Sequence, residues 1–240
     1  MRSGKEIKME IKTIAKIHSD FPEKFGIPRQ SGLVDELVSK IVFEKEYRVP
    51  EAFRGLEEFS HIWVIWQFSE AVRDKWSPTV RPPRLGGNKR VGVFATRSPF
   101  RPNSIGLSSV KLLKIDRECP EAPVLYISGG DMMDGTPVID IKPYLPYTDI
   151  HSDAADGFAV TGDEGRLTVD FPETLREKIP QEKRAPLYDI LSQDPRPGYQ
   201  HTSGRVYHMP YGTWEIDFTV CENTLTVTDV RYAEGGDEIE

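Results

Sequence analysis

Two arginines stand in an irregular, proline-containing segment where guanidinium groups often bind anions. Arg97 and Arg101 are four residues apart in the run ATRSPFRPNSIGL at 95–107. A loop imposes no helical face on either side chain, and guanidinium groups placed in this way typically clamp carboxylates or phosphates. Both could instead bond only to carbonyl groups of their own loop. The segment therefore predicts either an anion-binding loop or a self-contained turn.

Two aspartates three residues apart form a second candidate. Asp131 and Asp134 lie beside three glycines in the run SGGDMMDGTP at 128–137. This composition is typical of Asx turns, which expose backbone N–H and C=O groups. Exposed backbone suits the edge of an adenine-like base, and carboxylate oxygens suit a sulfonium. Turn capping alone would also explain the pair.

Cationic and aromatic residues occupy two further segments. The run RPPRLGGNKR at 81–90 places four cationic side chains in a loop stiffened by proline and opened by glycine, or it is simply a basic hairpin. The run DIKPYLPYTD at 140–149 sets Lys142 beside Tyr144 and Tyr147. Those tyrosines could stack on a base while the lysine touches a phosphate, or they could hold the end of a barrel closed.

The charge of the chain is unevenly distributed. The net charge is −7, yet the segment 75–115 contains nine Lys or Arg residues and no Asp or Glu, which gives +9 against −16 for the remainder. An acidic protein with one basic block has either a local nucleic-acid site or a solvated face. No apolar run approaches the roughly 20 residues of a membrane span, and residues 1–12 lack the apolar core of a secretory signal. We expect a cytoplasmic protein without membrane contact.

Several common chemistries are not indicated. Cys119 and Cys221 are far apart and the five histidines are scattered, so no metal site or disulfide framework is predicted. The phosphate-binding pattern GxxxxGK[ST], the dinucleotide pattern GxGxxG and the nucleophile pattern GxSxG are all missing. A doubly wound methyltransferase or dehydrogenase is therefore not expected.

Closely spaced short strands predict a mainly β protein, with an antiparallel β-barrel over 7–149 and a smaller α+β C-terminal domain over 166–240. Predicted barrel strands are 8–18, 40–47, 61–68, 90–95, 105–115, 124–128 and 138–141, with a short helix at 50–56. A polar linker is predicted at 148–165. The C-terminal domain is predicted to contain strands at 167–171, 204–209, 213–221 and 225–232, helices at 174–179 and 184–193, and a hairpin turn at Glu222–Asn223.

Long segments, in order, resemble the TrmO family, also known as YaeB or TsaA-like proteins. The matching runs are EKFGIPRQSGLV at 23–34, FRGLEEFSHIWVIWQF at 53–68, PPRLGGNKRVGVFATRSPFRPNSIGLSSVKLL at 82–113, GGDMMDGTPVIDIKPYLPYTD at 129–149 and DPRPGY at 194–199. These proteins are tRNA (adenine-N6)-methyltransferases acting on N6-threonylcarbamoyladenosine beside the anticodon. The resemblance implies S-adenosylmethionine as methyl donor and a homodimer with the cofactor site near the subunit interface.

The resemblance also implies site residues. Cofactor contacts are expected at Gln30, Ser31, Gly32, Leu33, Ser69, Glu70, Arg97, Leu107, Gly129, Gly130, Asp131, Met132 and Asp134. Asp131 or Asp134 is the candidate catalytic carboxylate, acting as proton acceptor or as partner of the sulfonium. Substrate contacts are expected from the basic and aromatic segments at Arg84, Lys89, Arg101, Lys142 and Tyr144, and from the resemblance at Asp194, Arg196 and Tyr199. A non-catalytic RNA-binding barrel and a methyltransferase with a small-molecule acceptor are the alternatives.

Overall fold

A computed structural model describes residues 10–72, 75–82, 85, 88–159, 166–196 and 204–233. The strands are β1 (Ala15–His18), β2 (Val38–Phe43), β3 (His61–Gln67), β4 (Thr79–Val80), β5 (Val91–Gly92), β6 (Ile105–Asp116), β7 (Val124–Ser128), β8 (Pro137–Pro143), β9 (Thr168–Asp170), β10 (Tyr207–Tyr211), β11 (Trp214–Cys221) and β12 (Thr224–Tyr232). The α-helices are α1 (Pro146–Asp149), α2 (Glu173–Arg176) and α3 (Gln181–Ser192). Short 3-10 helices span Lys45–Tyr47, Pro50–Phe53, Leu56–Glu58, Ser69–Ala71, Val93–Ala95 and Gly157–Ala159.

The N-terminal strands form the closed antiparallel barrel that the sequence predicts. Its strand order is β1-β2-β7-β6-β3-β8, and β8 returns to pair with β1. Every neighbouring pair is antiparallel. Alternate residues point inwards, as the period of a strand requires, so Ile17, Ile41, Val64, Leu125 and Ile127 are fully buried in one core.

The C-terminal unit is α+β, also as predicted. Strands β10, β11, β12 and β9 form one sheet in that order, in which β12 and β9 run parallel. Helix α3 contributes Leu187 and Leu191 to a second core with Phe218 and Leu225 of the sheet.

The connection between β1 and β2 packs into this second core. Phe21, Val34 and Leu37 are buried among the C-terminal side chains. Backbone and side-chain bonds add to the apolar contact, because Gly212 N–H donates to Asp20 O at 2.7 Å and Gln193 donates to Leu33 O at 2.9 Å. The segment that carries Gln30 is therefore held near both of its ends, at Asp20 and at Leu33.

Four predicted elements of the N-terminal domain are wrong by three residues or more at one end, or are of another type. The expected strand 8–18 is a strand only over Ala15–His18 among the described residues, and the strand expected at 40–47 ends at Phe43. The helix expected at 50–56 is two 3-10 helices, because Gly55 between them adopts φ +85°. The strand expected at 90–95 turns after Gly92, because Thr96 N–H donates back to Val93 O.

Three predicted segments lie wholly or partly outside the described residues. They are the start of the first strand, residues 160–165 of the linker, and the end of the C-terminal domain at 234–240. Among the helices that the structure describes, none has the length and apolarity to cross a membrane.

Candidate active site

A cavity of about 790 Å³ opens where β3 and β6 meet the connections around them. Four parts of the chain line it: the 24–30 segment, the 3-10 helix Ser69–Ala71, the loop 96–103, and residues that follow β7. The floor comes from the strand ends, with Trp66 and Gln67 from β3 and Ile105, Gly106 and Leu107 from β6. The barrel thus holds one wall in place while loops supply the others.

Hydrogen bonds link three side chains across the floor. Trp66 Nε1–H donates to Ser108 Oγ at 3.0 Å, and the Ser108 hydroxyl donates to Asp131 Oδ1 at 2.6 Å. Ser108 is 1% exposed, so its two partners have little competition from water. Gly106 leaves the space in which the Trp66 indole lies. The Asp131 carboxylate is consequently held in one orientation at the cavity.

Burial raises the pKa of Asp131 above its ordinary value of 3.8. The Ser108 hydroxyl, the backbone N–H groups of Asp131 and Ser31, and the charge of Arg97 all lower the same pKa, but their sum is smaller than the effect of burial. A carboxylate in this environment binds a proton more readily than one in water. Perturbed carboxyl groups in clefts are typical of functional sites.

Arginines lie on the loop side of the same cavity. Arg97 donates to Gln30 Oε1, and Arg101 donates to Thr96 O at 3.1 Å. Across from them, Lys24 Nζ donates to Glu70 O at 3.1 Å. Arg101 therefore does bind a carbonyl of its own loop, while both guanidinium groups also line the cavity. The site combines one partly buried carboxylate with cations that could bind an anionic substrate group.

Comparisons with known proteins assign the chain to a family. The models of the tRNA-methyltransferase O N-terminal domain and of the TrmO C-terminal domain match residues 16–150 and 164–233. The chain belongs to the TrmO family. This confirms the predicted family, and it confirms an enzyme rather than a non-catalytic RNA-binding barrel.

Individual relatives resemble the chain over most of its length. The tRNA (adenine(37)-N6)-methyltransferase of Escherichia coli K12 is 41% identical over 217 residues, which cover 88% of this chain and 91% of that protein. A putative S-adenosylmethionine-dependent methyltransferase of Pseudomonas aeruginosa is 42% identical over 215 residues, covering 86% and 90%. The crystal structure of TrmO from Pseudomonas aeruginosa superposes with a TM-score of 0.73 at 32% identity, covering 94% of this chain and 100% of that one.

The cavity collects about half of the cofactor residues expected from the TrmO resemblance. Those that line it are Gln30, Ser69, Glu70, Arg97, Leu107 and Asp131. The others, which are not in its lining, are Ser31, Gly32, Leu33, Gly129, Gly130, Met132 and Asp134. Gly32 N–H donates to Gly129 O at 2.9 Å, and Met132 is buried in the barrel core. The backbone bond thus joins the two segments that carry Gln30 and Asp131.

The two candidate carboxylates have different surroundings. Asp131 is partly buried at the cavity, whereas Asp134 is exposed on the turn before β8. Asp134 accepts a hydrogen bond from Ser19 N–H at 3.1 Å and lies 3.4 Å from His18 Nδ1. Asp134 thus connects the end of β1 with the turn before β8 in the TrmO barrel.

The expected substrate residues are spread over the surface. Arg101 lines the cavity; Lys142 is exposed and lies 2.8 Å from Asp140, and Lys89 is exposed in its turn. Tyr144 packs against Trp63, which is itself in the cavity lining, at 5.4 Å between ring centroids. Arg84 and Tyr199 lie outside the described residues.

Asp194 and Arg196 form a partly buried ion pair near the cavity. Arg196 Nε and Nη2 donate to the two Asp194 oxygens at 2.7 and 2.8 Å. Burial raises the pKa of Asp194, but the hydrogen bonds and charge of Arg196 outweigh it, so the pKa is lowered. Arg29, a cavity residue, donates to Asp194 O at 3.5 Å. The C-terminal motif of the TrmO family is thereby connected to the cavity wall.

Sequence reasoning did not single out Trp66, Gly106 or Ser108. All three lie in runs that match the TrmO family, but no local motif marks them as site residues. The alternation of β6 does place Gly106 and Ser108 on the inner face, opposite to Leu107. That pattern is the signal from which they could have been found.

One cluster with metal-ligand chemistry occurs among the described residues. Ligand atoms of His208, Glu215 and Asp217 lie within 4.8 Å of one another on the C-terminal sheet. Arg231 contacts Asp217 at 2.5 Å and Glu215 at 3.1 Å. Its guanidinium already supplies positive charge to both carboxylates, so the cluster is an ion-pair network.

Proposed function

We propose that the chain transfers a methyl group from S-adenosylmethionine to N6 of N6-threonylcarbamoyladenosine at position 37 of tRNA, giving N6-methyl-N6-threonylcarbamoyladenosine. The observation that carries this proposal is the placement of Asp131. In a chain of the TrmO family, a partly buried carboxylate with a raised pKa faces a cavity that also contains Arg97 and Arg101.

The residues of the cavity fit S-adenosylmethionine. Small-molecule sites commonly enclose about 300 to 1,000 Å³, and this one encloses about 790 Å³. Trp66, Phe68 and Leu107 supply aromatic and apolar surface for an adenosyl group, and aromatic faces and carboxylates attract a cation such as a sulfonium. When bound, the cofactor supplies an electrophilic methyl group. Gln30, Ser69, Glu70, Arg97, Leu107 and Asp131 would hold it.

The chain's own task is positioning and proton transfer. The nitrogen to be methylated is a urea-type nitrogen, whose lone pair is delocalised, and it loses its proton as it attacks. We assign the acceptance of that proton to the Asp131 carboxylate, because its raised pKa and its fixed orientation both favour the role. Arg101, with Arg97 beside it, would bind the threonyl carboxylate and keep the nitrogen at attacking distance.

We further propose that tRNA extends beyond the cavity over the basic and aromatic residues expected from the sequence. Arg84, Lys89, Lys142 and Tyr144 would contact it from the barrel, and Asp194, Arg196 and Tyr199 from the C-terminal unit. The Asp194–Arg196 pair supports this because Arg29 links it to the cavity. The cytoplasm, where tRNA is modified, is the proposed location.

A homodimer is part of the proposal. Phe94 and Trp76 pack against each other at 6.1 Å between ring centroids, yet they remain 71% and 50% exposed. Leu107, at the cavity, is 55% exposed. Large apolar side chains exposed together often mark an interface. A second copy that covers them would also close the cavity.

Labelled methyl donor tests the reaction directly. The protein is incubated with labelled S-adenosylmethionine and with tRNA that carries the threonylcarbamoyl group or lacks it, and the nucleosides are then separated by mass spectrometry. We expect label only in N6-methyl-N6-threonylcarbamoyladenosine. Label in both tRNA pools would remove the threonylcarbamoyl requirement. Transfer to neither pool by a folded protein would refute the proposed substrate and leave a small-molecule acceptor.

A further inference from the structure

We propose that the outer wall of the barrel around Tyr126 binds the phosphate backbone of the tRNA substrate outside the cavity. Lys40, Lys111, Lys114 and Tyr126 define this Tyr126 surface. The inference rests on the proposed function, because it concerns the same substrate. It adds a contact region on β2, β7 and β6 that lies outside the cavity and outside the substrate contacts expected above.

Strand register brings the four residues together. Lys40 of β2 and Lys114 of β6 are both directly opposite Tyr126 of β7, one on each side. Lys111 lies one row away, opposite Ser128. Leu125 and Ile127 fill the barrel core, so Tyr126 between them points outwards, and both Lys40 and Lys114 are exposed.

Two ammonium groups share one aromatic ring in this arrangement. The Nζ atoms of Lys40 and Lys114 lie 5.4 and 4.2 Å from the centroid of Tyr126. A cation over a tyrosine ring is attracted by it, but two cations on one ring repel each other. Within the part of the chain that the structure describes, none of the three lysines forms an ion pair. A phosphate placed between the ammonium groups would replace that repulsion with attraction.

The carboxylate at the end of β6 does not take this place. Asp116 ends β6, and its Oδ1 accepts the N–H groups of Glu118 and Cys119 at 3.1 and 3.2 Å. It acts on Lys114 only through its longer-range charge. The surface is therefore locally basic in a chain whose net charge is −7. Such a local excess of cations is the usual electrostatic footprint of a nucleic-acid contact.

Strand β6 connects the Tyr126 surface with the cavity. Strand β6 begins at Ile105 and Leu107 in the cavity lining and then passes Lys111 to reach Lys114. At about 3.3 Å per residue, Leu107 and Lys114 are about 23 Å apart along the strand. An RNA whose base enters the cavity could follow this wall with its backbone. A symmetric contact between two copies centred here would instead bring the lysines against themselves.

Charge removal tests the contact. The double variant Lys40→Ala/Lys114→Ala is compared with Lys45→Ala/Arg54→Ala, which removes two exposed cations from the connection between β2 and β3. Dissociation constants for tRNA are measured between 50 and 200 mM salt. Loss of two phosphate contacts should weaken binding about tenfold or more near 0.1 M salt and flatten the slope of log affinity against log salt by about 1.5. Lys40→Arg/Lys114→Arg should retain both values.

Two further readings separate the possible outcomes. Binding of S-adenosylmethionine and the melting temperature should not change in the double variant. If the wild type methylates tRNA and the double variant binds it like the control, the proposed tRNA contact at the Tyr126 surface is wrong and the proposed function stands. A change in the molecular mass of the double variant in solution, without a change in its tRNA affinity, would instead show that the surface is an interface between copies of the chain. A wild type that neither binds nor methylates tRNA would refute both proposals.

Discussion

Replacing Gly106 by alanine is expected to damage the floor of the cavity and lower both stability and activity. A Cβ atom at this position would lie 2.3 Å from Trp66 Cε2, 2.5 Å from Cζ2 and 2.6 Å from Cδ2. Carbon atoms in contact are about 3.5 to 4.0 Å apart, so the indole would have to move by about 1.2 Å or more. Trp66 is only 6% exposed and packs in the barrel core, which leaves little room for that movement.

The displaced indole would also lose its hydrogen bond. Trp66 Nε1 is bonded to Cε2, the atom with the shortest contact, and it donates to Ser108 at 3.0 Å. Overpacking costs about 1 to 3 kcal/mol, and a buried donor left without a partner costs a similar amount. We expect a loss of about 3 kcal/mol of unfolding free energy, and a melting temperature lower by about 6 to 12 °C. A displacement of about 1 Å beside Asp131 should reduce kcat about a hundredfold.

Gly92→Ala is the matched control. Gly92 has a backbone φ of −59°, which other residues adopt, and a Cβ there would meet no atom within 4 Å. Thermal melting followed by circular dichroism and initial rates of methyl transfer at a temperature below both transitions would be measured for the two variants. A Gly106→Ala protein that melts and turns over like Gly92→Ala would show that the indole does not lie against Gly106.

Substitutions at four other positions separate the roles of the charged and hydroxyl groups. Ser108→Ala should cost about 2 kcal/mol of unfolding free energy and move the acid limb of the pH–rate profile to higher pH, because the Ser108 hydrogen bond lowers the pKa of Asp131 in the wild type. Ser108→Thr should restore both the stability and the pH profile. An acid limb that does not move would contradict the link between Ser108 and Asp131. Asp131→Asn should lower methyl transfer at least a hundredfold but leave the protein at least as stable at pH 7, whereas Asp134→Asn should stay within about twofold of wild-type activity. Because folding raises the pKa of Asp131, the charged carboxylate destabilises the wild-type fold, and this effect is lost as the pH falls through that pKa. The stability that Asp131→Asn gains over wild type should therefore vanish in acid. A gain that persists in acid would have another cause. Asp217→Asn should cost about 1 to 2 kcal/mol of unfolding free energy at pH 7, because the bonds of Asp217 to Arg231 and His208 outweigh its burial and lower its pKa. The difference in unfolding free energy from wild type should shrink as the pH falls below 3.8, the ordinary pKa. An equal difference at pH 3 and pH 7 would exclude the charge of Asp217 as its source.

Local patterns in the sequence were sufficient for the strands that have long partners. Strands β3, β6 and β7 lie within two residues of the predicted ranges, because alternating apolar residues reveal a strand that is buried on one face. Strand 90–95 failed because its partner β4 is only two residues long, and a strand persists only where another pairs with it. Closure of the barrel joins Ala15 to Val138, a contact that no local pattern contains.

The sequence by itself determined the family and the residue types of the candidate site. Long ordered runs identify TrmO, and they include Gln30, Arg97 and Asp131, which the structure brings to one cavity. Only the tertiary structure separated Asp131 from Asp134. The two are three residues apart in similar turns, but Asp131 is partly buried at the cavity and Asp134 is exposed, a difference that the whole fold sets.

The tertiary structure also decided which neighbours act on those residues. Ser108 bonds to Trp66, 42 residues away, and to Asp131, 23 residues away. Alternation along a strand shows which face a side chain occupies, but the register between strands determines what it touches. Register depends on packing of the whole barrel, and so does the meeting of Lys40 and Lys114 over Tyr126.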